Sequence, residues 1–156
     1  HDAVGEAYVE FQHTLKALTR RGVLLAIVSK NTESVALEAV DRHPDMVLRR
    51  DDFAGWRINW SDKAGNLVDV ATEIGVGLQS VVFIDDNPAE RARVREALPQ
   101  VLVPDWPEDK LLYAKALKHC GMEKRDVEDL VGNSKATRAA VSQCASPSPP
   151  ASSTST

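Results

Sequence analysis

Val81-Val82-Phe83-Ile84-Asp85-Asp86-Asn87-Pro88 is the stretch whose reading decides the fold. Four consecutive apolar β-formers make a short strand with no polar face, the pattern of a parallel sheet covered on both sides. Asn87 offers a helix N-cap, Pro88 suits the first helical position, and Glu90 stands where a capping box places an acid. A strand therefore passes directly into a helix, with two adjacent carboxylates at the junction. In open α/β sheets that junction is the crevice where ligands bind. Asp85 and Asp86 repel each other there unless a cation joins them, and a hard divalent ion such as magnesium is the natural one. The plain alternative is an acidic turn that caps a helix.

Outward from this octet, strands and helices alternate. Upstream, Val4, Ala7, Tyr8, Phe11, Leu15 and Leu18 form one face of a helix that Gly22 ends. Val23 to Val28 is a second buried strand, and Ser29-Lys30-Asn31-Thr32 turns from it into a helix over 33–42, closed by His43-Pro44. An extended piece at Met46-Val47-Leu48 leads into an irregular stretch from Arg49 to Trp60. Ser61 caps a helix over 62–74, with Gly75 beyond it. Downstream come a helix over 88–98, a last strand at 101–103 stopped by Pro104, and two or three amphipathic helices filling 107–142. This alternation predicts a doubly wound parallel sheet in a three-layer α/β/α arrangement.

Composition sets the outer bounds. The chain has 156 residues, enough for one domain with a modest core, and a net charge of −4 with mixed signs. Neither a nucleic-acid nor a membrane surface is indicated. No apolar run approaches the roughly 20 residues that span a bilayer. Two cysteines, Cys120 and Cys144, form no disulfide framework, and with no visible signal peptide a cytoplasmic setting is expected. The Ser-, Pro- and Thr-rich stretch 143–156 reads as a disordered tail.

Three features form an ordered set. Ser29 ends a strand before a helix, so its hydroxyl and the following backbone N–H groups, with Lys30 and Asn31, could cradle a phosphate or simply cap the helix. Lys63 sits in the first turn of its helix, where the dipole disfavours a cation, and such departures often mark function. The Asp pair comes last. A hydroxyl, a lysine and two carboxylates in this order suit metal-assisted phosphoryl chemistry. A phosphoacceptor receiver domain uses the same groups in another order.

The set resembles the second, third and fourth motifs of the haloacid dehalogenase (HAD) superfamily, and most closely its FkbH-like subgroup. The residues carrying the resemblance include Phe11-Gln12, Ser29-Lys30-Asn31, His43-Pro44, Asp51-Asp52-Phe53-Ala54, Ile58-Asn59-Trp60, Lys63-Ala64, Asn66, Asp85-Asp86-Asn87-Pro88, Glu90-Arg91 and Leu98-Pro99, spread over roughly residues 5 to 113. The resemblance implies a HAD-type Rossmann-like fold in which Ser29 binds the transferring phosphoryl group, Lys63 neutralises its charge, and Asp85 and Asp86 hold Mg2+. It further implies a phosphatase or phosphotransferase acting on a small phosphorylated metabolite of glycerate type. Some members are thought to load a glyceryl unit onto an acyl carrier protein in polyketide-type biosynthesis.

One element of the family pattern is missing. The nucleophile is the first Asp of an Asp-x-Asp-x-Thr sequence ending the family's first, central strand, and nothing here matches it. The expected domain is thus residues 1–118 lacking that strand, followed by a helical extension over 119–142. The chain as written is expected to be catalytically incompetent, an N-terminally truncated piece of a longer enzyme. Its alternative is a non-catalytic module that binds phosphate or a carrier protein. Without the central strand, the strands at 23–28 and 81–84 either pair directly or leave an open, aggregation-prone gap.

The remaining candidates have simpler readings. Asp51-Asp52 follow two arginines rather than a strand and read as turn and cap chemistry. Trp56, Trp60 and Trp106 read as covers for a sheet edge rather than flanks of a ligand, and Arg91, Arg93 and Arg95 as a solvated face rather than a carrier-docking patch. His13, His43 and His119 have no ligand-like spacing. Cys120 as a thioester carrier is the least supported of the candidates.

Overall fold

A computed structural model describes residues 3–120 and 138–142. Its chain order is α1 (Ala3–Arg20), β1 (Val23–Ser29), α2 (Glu33–Arg42), β2 (Phe53–Ile58), α3 (Lys63–Ile74), β3 (Val81–Ile84), α4 (Pro88–Ala97), α5 (Tyr113–His119) and β4 (Arg138–Ser142). The four strands form one sheet in the order β2-β1-β4-β3, with every neighbouring pair parallel. This is the expected Rossmann-like α/β fold built on a parallel sheet.

Alternation along the strands builds two cores, one on each face of the sheet. Val23, Leu25 and Ile27 of β1 join Val82 and Ile84 of β3 on one face, under α1, α2 and α5. Ala26 and Val28 join Val81 and Phe83 on the other, under α3 and α4. Both faces of β1 and β3 are therefore dry, which is why their sequences lack alternation. Trp106 does not cover an edge. It lies 5 % exposed in the first core, with ring centroids 5.8 Å from Phe11 and 5.3 Å from Tyr113.

Element ends follow the local signals. Gly22 and Gly75 take positive φ at the ends of α1 and α3, where an L side chain would be strained. Asn87 caps α4 by accepting from the Ala89 N–H at 2.9 Å, with Pro88 next to it. Asp51 and Asp52 form a short 3-10 turn, and the Asp52 carboxylate accepts from the Arg49 N–H at 2.8 Å, the cap chemistry expected of them.

Three expected elements are corrected. The irregular stretch between Arg49 and Trp60 contains β2, whose mixed polar and apolar residues suit an edge strand covered mainly by α3. Met46-Val47-Leu48, read as an extended piece, has no strand partner. Gln12, fully buried in α1, holds that segment by accepting from the Val47 and Leu48 N–H groups and donating to the Asp45 carbonyl. The segment at 101–103 is tied to β3 by a single bridge, Val82 to Leu102, rather than a full ladder. Helix does not fill 119–142 either: α5 ends at His119 and residues 138–142 are strand.

β4 lies between β1 and β3, so those strands neither pair directly nor leave a gap. Its register runs Val23 to Arg138 through Ala26 to Val141 on one side, and Val81 to Ala139 through Ile84 to Ser142 on the other. The physical reason is the ladder. Two buried strand edges each need partners for their N–H and C=O groups, and one parallel strand serves both. The expected tail at 143–156 lies outside the described residues.

Candidate functional site

All strands run the same way, so the residues ending β1, β2 and β3 share the carboxyl edge of the sheet. Ser29 closes β1 and is 2 % exposed. Asn59 follows β2, and its N–H donates to the Ser29 carbonyl at 3.1 Å. Asp85 and Asp86 follow β3. Lys63 opens α3 and reaches into the same crevice.

Lys63 and Asp85 form the centre. The Lys63 ammonium donates to Asp85 Oδ2 at 2.6 Å, with side-chain exposures of 2 % and 0 %. The cation that breaks the helix-dipole rule is thus a buried counter-charge. The Asn87 N–H donates to the other oxygen, Asp85 Oδ1, at 2.9 Å. That N–H is the one Glu90 would take in a capping box, and Glu90 instead pairs with Lys30 at 2.9 Å. Burial pushes the Asp85 carboxyl above the usual carboxylate range. The Lys63 hydrogen bond, the Asn87 N–H and the Lys63 charge oppose that push, and the Asp86 charge adds to it.

The arginines of α4 serve the same junction. Arg91 donates to the Asp85 backbone carbonyl at 3.0 Å, and Arg95 donates to the Val103 carbonyl and to Asp105. Arg93 pairs with Asp62, the N-cap residue of α3, at 3.1 Å. Arg93 and Arg95 are exposed, as a solvated face requires, and these contacts also tie α4 to neighbouring segments. The Arg93 hydrogen bond holds the Asp62 carboxyl below its usual range. Asp62 therefore stabilises the fold above its unfolded-state value of about 4, and that contribution is lost as pH falls through the lower folded value. In Arg93→Ala, carboxyl NMR should show Asp62 titrating at higher pH than in the parent; an unchanged midpoint would remove the pair.

Two asparagines shape the approach. The Asn66 amide donates to Asn59 Oδ1 at 2.7 Å, and the Ser61 N–H donates to the same oxygen at 3.0 Å. The turn they fix carries Trp60, which is 71 % exposed rather than buried over the sheet edge. Sequence reasoning assigned neither asparagine a role. An Asn at each end of the short run 59–66 was the available signal.

The expected site residues divide into two groups. Lys63 and Asp85 are in direct contact, and Ser29 and Asp86 lie along the same sheet edge. Lys30 is bound to Glu90, and Asn31 Oδ1 accepts from the Thr32 N–H at 2.7 Å, so both are engaged within the chain. Asp51 and Asp52 precede β2 and lie at the opposite edge of the sheet, roughly 20 Å away by strand rise. The Cys120 thiol donates to the Leu117 carbonyl at the end of α5. No three His, Cys, Asp or Glu side chains gather in a metal-binding cluster among the described residues. Two carboxylates nevertheless suit Mg2+, which usually takes one or two from protein and fills its octahedron with water and substrate oxygens. Asp86 is exposed, and each Asp85 oxygen keeps a free lone pair beside its N–H donor.

No family model matches the chain, and no curated protein matches it. Among solved structures it is similar to the N-terminal part of the protein BF1531 from Bacteroides fragilis, described as containing a phosphatase domain and complexed with Mg. The two are 42% identical with a TM-score of 0.75, over 78% of this chain and 32% of that one. The chain therefore spans about a third of the solved relative's length. No helix among the described residues is long and apolar enough to cross a membrane.

Proposed function

We propose that the chain is part of a HAD-type, Mg2+-dependent phosphatase or phosphotransferase domain of an FkbH-like protein, without the Asp nucleophile of that family. The observation that carries this reading is the buried Lys63–Asp85 pair at the carboxyl edge of a parallel sheet, with Asp86 exposed beside it. Identity of 42% to a domain described as a phosphatase complexed with Mg supports it. In this reading Asp85 and Asp86 hold the metal, which would neutralise phosphate charge. The Ser29 hydroxyl donates to a phosphoryl oxygen, and the Lys63 ammonium offsets the negative charge that Asp85 brings into the crevice. The substrate is a small phosphorylated glycerate-type metabolite, and the final acceptor in the parent enzyme is water or an acyl carrier protein.

Attack on phosphorus needs a carboxylate in line with the leaving group. Asp85 is locked between Lys63 and the Asn87 N–H, and Asp51 and Asp52 are on the wrong edge. In this reading catalysis requires an acid of the Asp-x-Asp-x-Thr kind, which the sequence does not contain. Fusing a strand that carries one upstream should raise Mg2+-dependent phosphate release from a phosphorylated glycerate by about a thousandfold or more. Asp86→Asn should suppress that gain. Equal release by the chain as it stands would overturn the reading; silence in both forms would favour the non-catalytic binding module.

Metal binding can be read without turnover. Millimolar Mg2+ should raise the melting temperature, and the rise should vanish in Asp86→Asn. Asp86 is the cleaner substitution, because Asp85→Asn also strands the Lys63 charge. The same rise in both proteins would remove the metal assignment.

A further inference from the structure

We propose that the crevice is electrically balanced before any ligand enters, so that Mg2+ and a phosphate dianion bind it as a pair, each weakly alone. This rests on the phosphatase reading and adds how its site is loaded. The Lys63 ammonium and the Asp85 carboxylate offset each other at 2.6 Å, and Lys30 and Glu90 do so at 2.9 Å. The Arg91 guanidinium donates to the Asp85 carbonyl at 3.0 Å, which sets its charge beside the acidic turn to offset that of the exposed Asp86. The next pair out, Arg93 with Asp62, is balanced as well. Among the described residues that meet at this turn, three cations therefore face three anions.

Lys30 and Glu90 are the telling pair. Glu90 stands in the first turn of α4, where the helix dipole already favours an acid. It reaches instead to the residue after β1, and β4 lies between β1 and β3. The pair thus bridges two strand spacings, roughly 10 Å, across the carboxyl edge of the sheet. With side-chain exposures of 38 % and 15 %, its charges are partly withdrawn from water and less screened than surface charges. Lys30 adjoins Ser29, on the phosphate side, and Glu90 follows the two aspartates, on the metal side. Each charge is placed to help one ligand, and each is cancelled by the other until both ligands arrive. Mg2+ entering alone meets three cations, and a dianion entering alone meets three anions. Together they bring equal and opposite charge, since a phosphomonoester is close to a dianion above pH 7.

The test is calorimetric titration of the full chain at pH 8 with Mg2+, with inorganic phosphate, and with each in the presence of the other. Free concentrations are corrected for the magnesium phosphate that forms in solution. Phosphate in excess should tighten Mg2+ about tenfold, and Mg2+ should tighten phosphate by the same factor. Glu90→Gln removes an anion and frees Lys30, so it should weaken Mg2+ severalfold and tighten phosphate severalfold. Lys30→Met should do the reverse. Lost structure would weaken both ligands together, so shifts of opposite sign in two variants isolate the charge effect. Independent binding of the two ligands, or shifts of the same sign in both variants, would overturn this proposal and leave the phosphatase reading standing. No binding of either ligand, alone or together, would overturn both.

Discussion

Lys63→Met should lower the unfolding free energy of the domain by about 3–5 kcal/mol, the cost of leaving one member of a buried ion pair without its partner. The reason lies in Asp85. Its carboxylate is wholly buried, and its two oxygens are held by the Lys63 ammonium and a single backbone N–H. With the ammonium gone, the acid either keeps an uncompensated charge in a dry site or takes up a proton. In the second case its pKa rises further, and stability falls as pH climbs from the unfolded-state value of about 4 toward the raised folded value. Urea unfolding at pH 5 and pH 8 measures both effects, with the larger loss expected at pH 8. The double variant Lys63→Met/Asp85→Asn should recover a good part of that loss, because it removes both charges. A single variant as stable as the parent at both pH values would show that the pair is solvated and that the crevice is wetter than described.

Gln12→Ala should cost about 2–4 kcal/mol through three backbone groups left without partners. Gln12 is fully buried in α1, and its amide satisfies the Val47 and Leu48 N–H groups and the Asp45 carbonyl at 3.2 Å or less. These groups belong to a segment with no ladder of its own, so the Gln12 amide takes the place of a neighbouring strand. Gln12→Glu is the informative companion. It keeps the acceptor for two N–H groups but puts a carboxylate against the Asp45 carbonyl, and it should be destabilising at pH 8 and partly relieved at pH 5. Urea midpoints distinguish these outcomes, and a neutral Gln12→Ala would mean that water replaces the amide.

Much of the architecture was legible where local and global signals agree. The four apolar residues before Asp85, the Asn-Pro start of α4 and the glycines after α1 and α3 each specified an element end, and each occurs as read. The misleading elements share one cause, which is non-local pairing. β2 carries Gly55, Arg57 and a half-exposed Trp56, so its sequence is not strand-like, and it becomes a strand by docking along β1. β4 carries two alanines and an arginine, and nothing in Arg138–Ser142 announces a central strand. Two unsatisfied edges elsewhere in the chain set its conformation.

The candidate site was legible to a similar depth. Lys63 and Asp85 were separable from their neighbours by rule-breaking, a cation at a helix start and an acid pair at a strand end, and the structure joins them. Lys30 and Asn31 were read from proximity to Ser29 alone, and proximity in sequence did not decide where they point. Each found a partner inside the chain. Asn59 and Asn66 were read only as part of the family pattern and given no role, because their effect is exerted on each other.

The placement of β4 also governs how this sheet comes to exist. Val23 and Val81 must wait for Arg138 and Ala139 before their facing edges are closed, so the ladder at the centre of the molecule has the longest sequence separation of any in the sheet. High contact order of this kind slows folding, because loop closure is paid in entropy before any pairing repays it. During synthesis on the ribosome, both sticky edges emerge well before the strand that seals them. The fold is thus completed from its periphery inward, and the crevice at the strand ends acquires its final geometry only in the last step.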